Sequence, residues 1–358
     1  MLKIIYRTML KELFFAFFLS LAFLNSILMM EKLLRLSRLL SGVGASLTDM
    51  ARIIFYLQPQ LMMLTIPMSL LLSTLLVYGR MNLDSEIVIL KASGMDFRRI
   101  AFPVMLLGLF CFLASIAVSF YLGPQSSIKL RKEITKIITD RSTLAIEEGT
   151  FNTSFRDIVI IVKGRKSSGS LEKIFIYDSR DKKAPKVLMA KEGRIFMQEG
   201  GGSIGLYLQD GYINITKGGN ITELFFKSYK MTLNLDSDSP AAKKIEFTPI
   251  ELLRKAAEAG NHKKKTALYL EFHRRLSLPT VCLMLVLLGP PLALMAGRAG
   301  RLGGLALGLA VFTTYYMLLI YGENLALAGE IPHYVGAWMP LVILGTFSAF
   351  MFKRVSSR

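Results

Sequence analysis

The chain has 358 residues, of which 52% are hydrophobic, and its mean hydropathy is +0.44. This composition excludes an ordinary soluble protein, so we expect an apolar environment around much of the chain. The net charge of +18 would suit nucleic acid, but the aromatic residues lie mostly in apolar runs, which argues against a nucleic-acid partner. The excess cations are predicted to orient the chain in a membrane and to face anionic lipid.

Six long stretches of the chain contain no Asp, Glu, Lys or Arg: residues 13–30, 53–79, 100–127, 276–297, 302–322 and 331–352. A bilayer core about 30 Å thick needs roughly 20 residues of helix, so each stretch is predicted to be a transmembrane helix. The helical part of the third is expected to end near residue 122. The first is predicted to be a span and not a signal peptide, because its apolar part is longer than a typical h-region.

The distribution of Lys and Arg in the short loops predicts how the spans are oriented. If the N-terminus is cytoplasmic, the opposite short loops hold only Lys32, Arg35, Arg38 and the boundary residue Arg52, and the other basic loop residues lie on the cytoplasmic side. This is the bias of the positive-inside rule. It predicts cytoplasmic termini and places the segment between the third and fourth spans outside the cytoplasm.

The segment between the third and fourth spans is predicted to be a β-domain. Short β runs cover residues 158–163, 173–177, 186–190, 194–198, 204–209, 212–216 and 224–235, with hairpin turns expected at 209–211 and 217–220. Short strands without long helices between them indicate an antiparallel sandwich or a jelly roll.

The predicted fold class is therefore a membrane α-helical protein, with six transmembrane helices in a 3+3 arrangement and an inserted all-β, jelly-roll-like periplasmic domain. Residues 1–122 would form the first three spans. Residues 123–275 would form the β-domain with flanking helical connectors, and residues 276–358 the last three spans.

No enzymatic motif is present in the sequence. It contains no G-x-x-x-x-G-K-[ST] phosphate loop, no H-E-x-x-H motif and no G-x-S-x-G elbow, and no ionisable pair is expected within a span. The two cysteines, Cys111 and Cys282, lie in apolar stretches, and the three histidines lack metal-ligand spacing. The chain is expected to bind no metal or cofactor and to hydrolyse no ATP itself.

The loop between the second and third spans is predicted to contain a short amphipathic helix at residues 83–94. Asn82 is a candidate N-cap and Gly94 a candidate C-terminal residue, while Leu83, Ile87 and Leu90 share one face. Such a helix either lies along the membrane surface or docks a partner protein, and composition alone leaves both open.

At this segment the chain resembles the LptF/LptG family of lipopolysaccharide export permeases. Ser85-Glu86-Ile87, followed by residues 90–94 (LKASG), is similar to the family's coupling helix, and residues 271–279 (EFHRRLSLP) and 287–291 (LLGPP) extend the resemblance to the last three spans. The amino-acid sequence at the start of the fourth span favours LptF over LptG.

The resemblance implies a permease subunit of an ABC transporter in the bacterial inner membrane. It would extract lipopolysaccharide from the periplasmic leaflet together with a second LptF/LptG-type permease, driven by a dimer of the ATPase LptB, which uses ATP and Mg. The β-domain would pass the glycolipid to the jelly-roll proteins LptC and LptA. The alternative is a membrane receptor or assembly scaffold whose β-domain binds a ligand without transport.

The resemblance also implies sites on this chain. Ser85, Glu86, Ile87 and Leu90 would couple to the ATPase, with Glu86 pairing with an Arg of that subunit, although a solvated surface Glu is the alternative. Lys32, Arg35 and Arg38 match by position a basic cluster for the glycolipid head group; their alternative is anchoring to phospholipid. Aromatic and Met residues, among them Phe14, Phe18, Met62 and Met68, would line an apolar cavity, unless they are ordinary packing groups.

Overall fold

The structure is a computed structural model that describes residues 2–40, 46–145, 149, 152–155, 157–165, 170–181, 184–197, 204–217, 220–233, 244–296 and 300–357. The chain divides into two compact units. The helical unit comprises the residues up to Met29, Gln58–Ser126 and the residues from Lys244 onward. The sheet unit comprises Met30–Leu57 and Ser127–Lys243.

The helices of the described chain are α1 (Leu2–Leu40), α2 (Leu47–Leu83), α3 (Glu86–Ala92), α4 (Phe97–Ala117), α5 (Gly123–Ala145), α6 (Pro249–Glu258), α7 (His262–Ala296), α8 (Gly300–Ala328) and α9 (His333–Ser356). Within the described residues, six segments are long and apolar enough to cross a membrane: Lys3–Leu34, Leu47–Leu83, Phe97–Ile137, His262–Met295, Ala306–Ala328 and His333–Ser356. Each overlaps most of one of the six predicted stretches, so the predicted spans are confirmed.

The sequence predicted that the helix of the third span ends near Leu122, but the helix continues beyond that residue. A π-helical turn at Val118–Leu122 joins α4 directly to α5, which continues to Ala145. Pro124 has no amide hydrogen and would crowd the carbonyl group four residues earlier in a regular α-helix. The wider π-turn immediately before this proline lets the helix continue, which the proline alone did not reveal.

The core of the helical unit contains large buried side chains and hydroxyl groups that donate hydrogen bonds to main-chain carbonyls. Tyr78 is 0% exposed, and its hydroxyl donates to the main-chain carbonyl of Ile100 at 2.6 Å. On α2, the buried hydroxyls of Ser69 and Thr74 donate to carbonyls one turn earlier in the same helix, at 2.6 and 2.7 Å. Because no water is available in lipid, such internal partners allow polar residues to lie inside a bundle.

Small residues bring α8 and α9 into backbone contact. A Cβ atom at Gly322 would lie 2.5 Å from the carbonyl oxygen of Gly336, and a Cβ at Gly336 would lie 2.5 Å from that of Gly322. Close approach at small residues is typical of helix packing in membranes, where dispersion contacts replace the hydrophobic effect between helices.

The described strands of the sheet unit form one antiparallel sheet. Its strands are β1 (Asn152–Phe155), β2 (Ile158–Arg165), β3 (Leu171–Asp178), β4 (Lys186–Met197), β5 (Ile204–Lys217) and β6 (Asn220–Leu233), and they lie side by side in chain order. The inserted β-domain is thus confirmed. Its connectivity among the described strands is a meander, because short connections join neighbouring strands and leave no chain for the crossings of a jelly roll.

Two predicted pairs of strands are each a single long strand. Residues 186–190 and 194–198 fall largely within β4, and residues 204–209 and 212–216 fall within β5. The turn expected at residues 209–211 was therefore wrong. Asp210 has φ 49°, and the buried side of β5 changes there, from Leu206 and Leu208 before it to Ile213 after it. The turn-like sequence therefore corresponds to a local kink within β5 and not to a hairpin turn.

The second expected hairpin joins β5 to β6. Lys217 pairs with Asn220 across this connection, and its two central residues, 218 and 219, lie outside the described residues. A two-residue loop between paired strands is the commonest hairpin geometry, so this prediction is confirmed in its register.

Candidate functional site

The short helix predicted at residues 83–94 is α3, which is shorter and begins later than expected. Helix α2 continues to Leu83, and Ser85 precedes α3 with φ 57°. Asn82 was predicted to cap the helix, but its side-chain amide donates to the carbonyl of Leu294 at 3.2 Å. The capping prediction was wrong because Asn82 has a tertiary partner on α7, which a local pattern does not reveal.

The C-terminal end of α3 agrees with the prediction. The amide of Gly94, at φ 83°, donates to the carbonyl of Lys91 at 3.0 Å, and the amide of Met95 donates to Leu90 at 3.2 Å. These two bonds form a Schellman motif, which needs a left-handed residue at the position of the glycine. Both ends of α3 are thus fixed by backbone geometry.

The apolar side chains of α3 divide into an inward and an outward set. Ile87 is only 2% exposed and packs in the core of the helical unit, and Leu90 packs against that core from its rim. Val88 and Ile89 are 60% and 65% exposed. Ile87 and Leu90, which were predicted to contact the partner, therefore anchor α3 to the helical unit. Val88 and Ile89 form the outer apolar surface of α3, and the sequence interpretation missed them.

Glu86 stands at the N-terminal end of α3, beside an arginine of α2. Arg80 Nη2 lies 3.7 Å from Glu86 Oε1 and 2.7 Å from Oε2 of Glu12, a residue of α1. The three side chains retain 36–42% of their exposure, so the cluster is accessible from outside the helical unit. It joins three helices at one guanidinium group.

The three basic residues predicted to bind a head group follow one another on α1, which continues without interruption to Leu40. Lys32 is half-buried. The side chains of Arg35 and Arg38 lie outside the described part of the structure, which fixes only the helical backbone at these positions. The spacing of i, i+3 and i+6 on a continuous helix places the three residues on roughly one face.

Residues proposed to line an apolar cavity lie on α1 and α2. Phe14 and Phe18 stack one turn apart with ring centroids 6.3 Å from each other, and Phe14 also meets Phe110 of α4 edge-on at 5.6 Å. Phe18 is 55% exposed, whereas Met62 and Met68 are half-buried on α2. Phe14 therefore combines core packing with a position beside an exposed aromatic surface.

An ion pair between two spanning segments was not expected from the sequence. Arg274 Nε of α7 lies 3.5 Å from Glu323 Oε1 of α8, and the side chain of Glu323 is 17% exposed. Glu323 immediately follows the uncharged stretch 302–322, so the search for charge-free runs ended one residue before it. The last three spans contain few carboxylates. An acidic residue at the boundary of one of them was therefore the sign in the sequence that could have indicated this ion pair.

Comparison with known proteins identifies a matching family and a relative of this chain. The family model described as lipopolysaccharide export system permease LptF/LptG matches residues 7–354. Uncharacterized protein RP871 of Rickettsia prowazekii (strain Madrid E) is 24% identical over 221 residues, which are 60% of this chain and 59% of that protein. The aligned region thus spans about three fifths of the relative's length, whereas the family match extends into all six spanning segments and includes the sheet.

Proposed function

The chain belongs to the LptF/LptG family of lipopolysaccharide export permeases, and from this membership we propose that it is a permease subunit of an ABC transporter. In this proposal it extracts lipopolysaccharide from the periplasmic leaflet of the inner membrane. The observation that carries the proposal is the family match over residues 7–354, which extends into all six spanning segments and includes α3 and the inserted sheet. The family description covers LptF and LptG jointly, so the assignment to LptF stays a prediction.

The energy source in this proposal is a partner subunit. The sequence has no phosphate-binding loop of the Walker type, so an LptB-type ATPase dimer would bind ATP and Mg and would hydrolyse the nucleotide. With cytoplasmic termini, the loop between the second and third spans is cytoplasmic as well. Helix α3 is then the docking element, because Glu86, Val88 and Ile89 expose a carboxylate beside apolar side chains.

The substrate path in this proposal begins at the periplasmic end of α1. Lys32, Arg35 and Arg38 would hold the phosphorylated head group, and acyl chains would enter an apolar cavity formed with a second LptF/LptG-type permease. Phe14, Phe18, Met62 and Met68 are the candidate lining residues on this chain. The β-domain would then pass the glycolipid to LptC- and LptA-type jelly-roll proteins.

One experiment separates this transporter from a membrane scaffold that only binds ligands. The full chain is purified from its own membranes in mild detergent, and the co-purifying proteins are identified. We expect a cytoplasmic ATPase subunit and a second permease of the same family, and we expect lipopolysaccharide to stimulate ATP hydrolysis by the complex. A chain that is recovered without an ATPase, or with one that ignores lipopolysaccharide, contradicts the proposal.

A pair of variants tests the docking role of α3. Glu86→Lys should reduce recovery of the ATPase subunit at least tenfold, since a hydrogen-bonded charge contact is worth about 1.5–3 kcal/mol. Asp84→Lys is the control, because Asp84 is an exposed carboxylate two residues earlier in the same loop and makes the same change in charge. Equal recovery with both variants would remove Glu86 from the docking role.

A further inference from the structure

The first turns of α1 and helix α3 form one groove of about 380 Å³, and its lining includes Ile4, Thr8, Glu12, Arg80, Glu86 and Ile89. The lining side chains of α1 and α3 face each other across Arg80. All of these residues belong to the helical unit. The groove gives the surface of α3 a second wall made by α1, which the sequence interpretation did not anticipate.

The acidic cluster in this groove has one more negative charge than positive charge. Glu12 and Glu86 supply two carboxylates and Arg80 supplies one guanidinium, which leaves a net charge of −1 when all three are ionised. The guanidinium is hydrogen-bonded to Glu12 at 2.7 Å, whereas its 3.7 Å distance to Glu86 is longer than a hydrogen bond. The oxygens of Glu86 are therefore oriented by charge and retain their capacity to accept hydrogen bonds from an external donor.

Exposed apolar side chains flank these carboxylates on both helices. Ile4 of α1 is 70% exposed, and Ile89 of α3 is 65% exposed. Apolar side chains of this size beside an accessible carboxylate suit a partner that presents a cation next to an apolar group. Both the charge and the apolar surface of the groove therefore favour a partner that presents a cation beside an apolar side chain.

We propose that α1 and α3 together form the docking surface for the ATPase subunit, and that Glu12 is the positioning residue that occupies Arg80 and leaves Glu86 available to the partner. This proposal rests on the proposed function, since it requires an ATPase that docks at α3. The partner surface would present an Arg or Lys side chain to Glu86 and an apolar side chain between Ile4 and Ile89. Glu12 acts through Arg80, because its hydrogen bond occupies the guanidinium and leaves Glu86 for the partner.

The arrangement also joins the docking surface to the first span. Helix α1 is continuous from Leu2 to Leu40 and carries both Glu12 and Lys32.

The charge count in the cluster gives a sharp test. Glu12→Gln leaves one carboxylate for one guanidinium, so Arg80 pairs fully with Glu86 and the net charge becomes zero. The double variant Glu12→Gln/Arg80→Gln leaves Glu86 alone and restores the net charge of −1. We expect Glu12→Gln to weaken binding of the purified ATPase subunit to the full chain in detergent about threefold to tenfold, and the double variant to recover most of that loss.

Asp84→Asn serves as the matched control, since it neutralises an exposed carboxylate near α3 that lies outside the cluster, and it should bind as the unchanged chain does. A merely structural role for Glu12 predicts that the double variant binds no better than Glu12→Gln, and that result overturns the inference. Unchanged binding by Glu12→Gln overturns it too. If Glu86→Lys weakens binding while Glu12→Gln does not, docking at α3 stands and only the role of α1 fails.

Discussion

The guanidinium of Arg275, on α7, donates a hydrogen bond to the main-chain carbonyl of Phe247, 2.6 Å away. It also donates to the carbonyls of Lys244 and Ile245, at 3.0 and 2.9 Å, and to the carboxylate of Glu271 at 3.2 Å. The Arg275 residue is 2% exposed. One buried side chain thus fixes the segment through which the chain returns from the sheet unit to the helical unit.

We predict that Arg275→Lys destabilises the helical unit by about 2–4 kcal/mol, because an ammonium group cannot reach all four acceptors and each buried acceptor left unpaired costs about 1–3 kcal/mol. Thermal unfolding in detergent measures the change. Arg254→Lys is the control, since Arg254 is 71% exposed and pairs only at 3.8 Å with Glu258 on the same helix. Equal unfolding midpoints for the two variants would show that the carbonyl contacts contribute little.

Arg275 also shows where prediction from sequence stops. The six spans were predictable because each requires only a local property, a long uncharged stretch. The three carbonyl partners of Arg275 lie about thirty residues away along the chain, and the partner of Asn82 lies 212 residues away. Such contacts exist only after the chain packs, so the capping role of Asn82 was predicted wrongly and the carbonyl acceptors of Arg275 were not predicted.

In the candidate site, the sequence interpretation identified the position of Glu86 but not the surface around it. Gly94 could be predicted as the end of α3 because a left-handed position is a local requirement. The outward orientation of Val88 and Ile89 depends on how α3 packs on the core, and the Glu12–Arg80 pair joins residues 68 apart in the chain. Neither is a property of a short segment, so both needed the folded chain.

The backbone contact between α8 and α9 gives a second prediction. Gly322→Ala places a methyl group 2.5 Å from a carbonyl oxygen of Gly336, and neither backbone can yield easily. We expect a loss of about 1–3 kcal/mol in the free energy of unfolding, measured from denaturation midpoints in detergent. Gly304→Ala, on the same helix, has its nearest neighbour at 3.9 Å and should be neutral or slightly stabilising. A stable Gly322→Ala variant would mean that the two helices do not touch at this point.

The proposed orientation gives a third prediction. A cysteine at Thr222, exposed on β6, should react with a membrane-impermeant thiol reagent in intact spheroplasts, and a cysteine at Ser85 should react only after permeabilisation. The unchanged chain is the blank, because Cys111 and Cys282 are both 0% exposed. Labelling at Ser85 with protection at Thr222 in intact spheroplasts would invert the topology and would place α3 on the wrong side for a cytoplasmic ATPase.

The last prediction concerns the substrate. Replacing Lys32, Arg35 and Arg38 together by Ala should reduce photocrosslinking of lipopolysaccharide and lipopolysaccharide-stimulated ATP hydrolysis, while basal hydrolysis by the partner stays unchanged. A charge-assisted contact to phosphate is worth about 1.5–3 kcal/mol when desolvated and about 0–1 kcal/mol when fully hydrated. Single changes at hydrated positions should therefore have little effect, whereas the triple change should remove the head-group contacts.

The control for this variant must remove the same charge from a different helix. Lys129, Lys132 and Lys136 are exposed on α5 at i, i+3 and i+7, so their triple replacement by Ala lowers the net charge of the chain equally. We expect this control variant to leave both crosslinking and stimulation intact, because it changes the total charge but removes no head-group contact. Long-range attraction to an anionic membrane depends mainly on total charge, whereas specific binding depends on the individual contacts. If the two triple variants lose stimulation to the same extent, the basic residues of α1 only anchor the helix to anionic lipid.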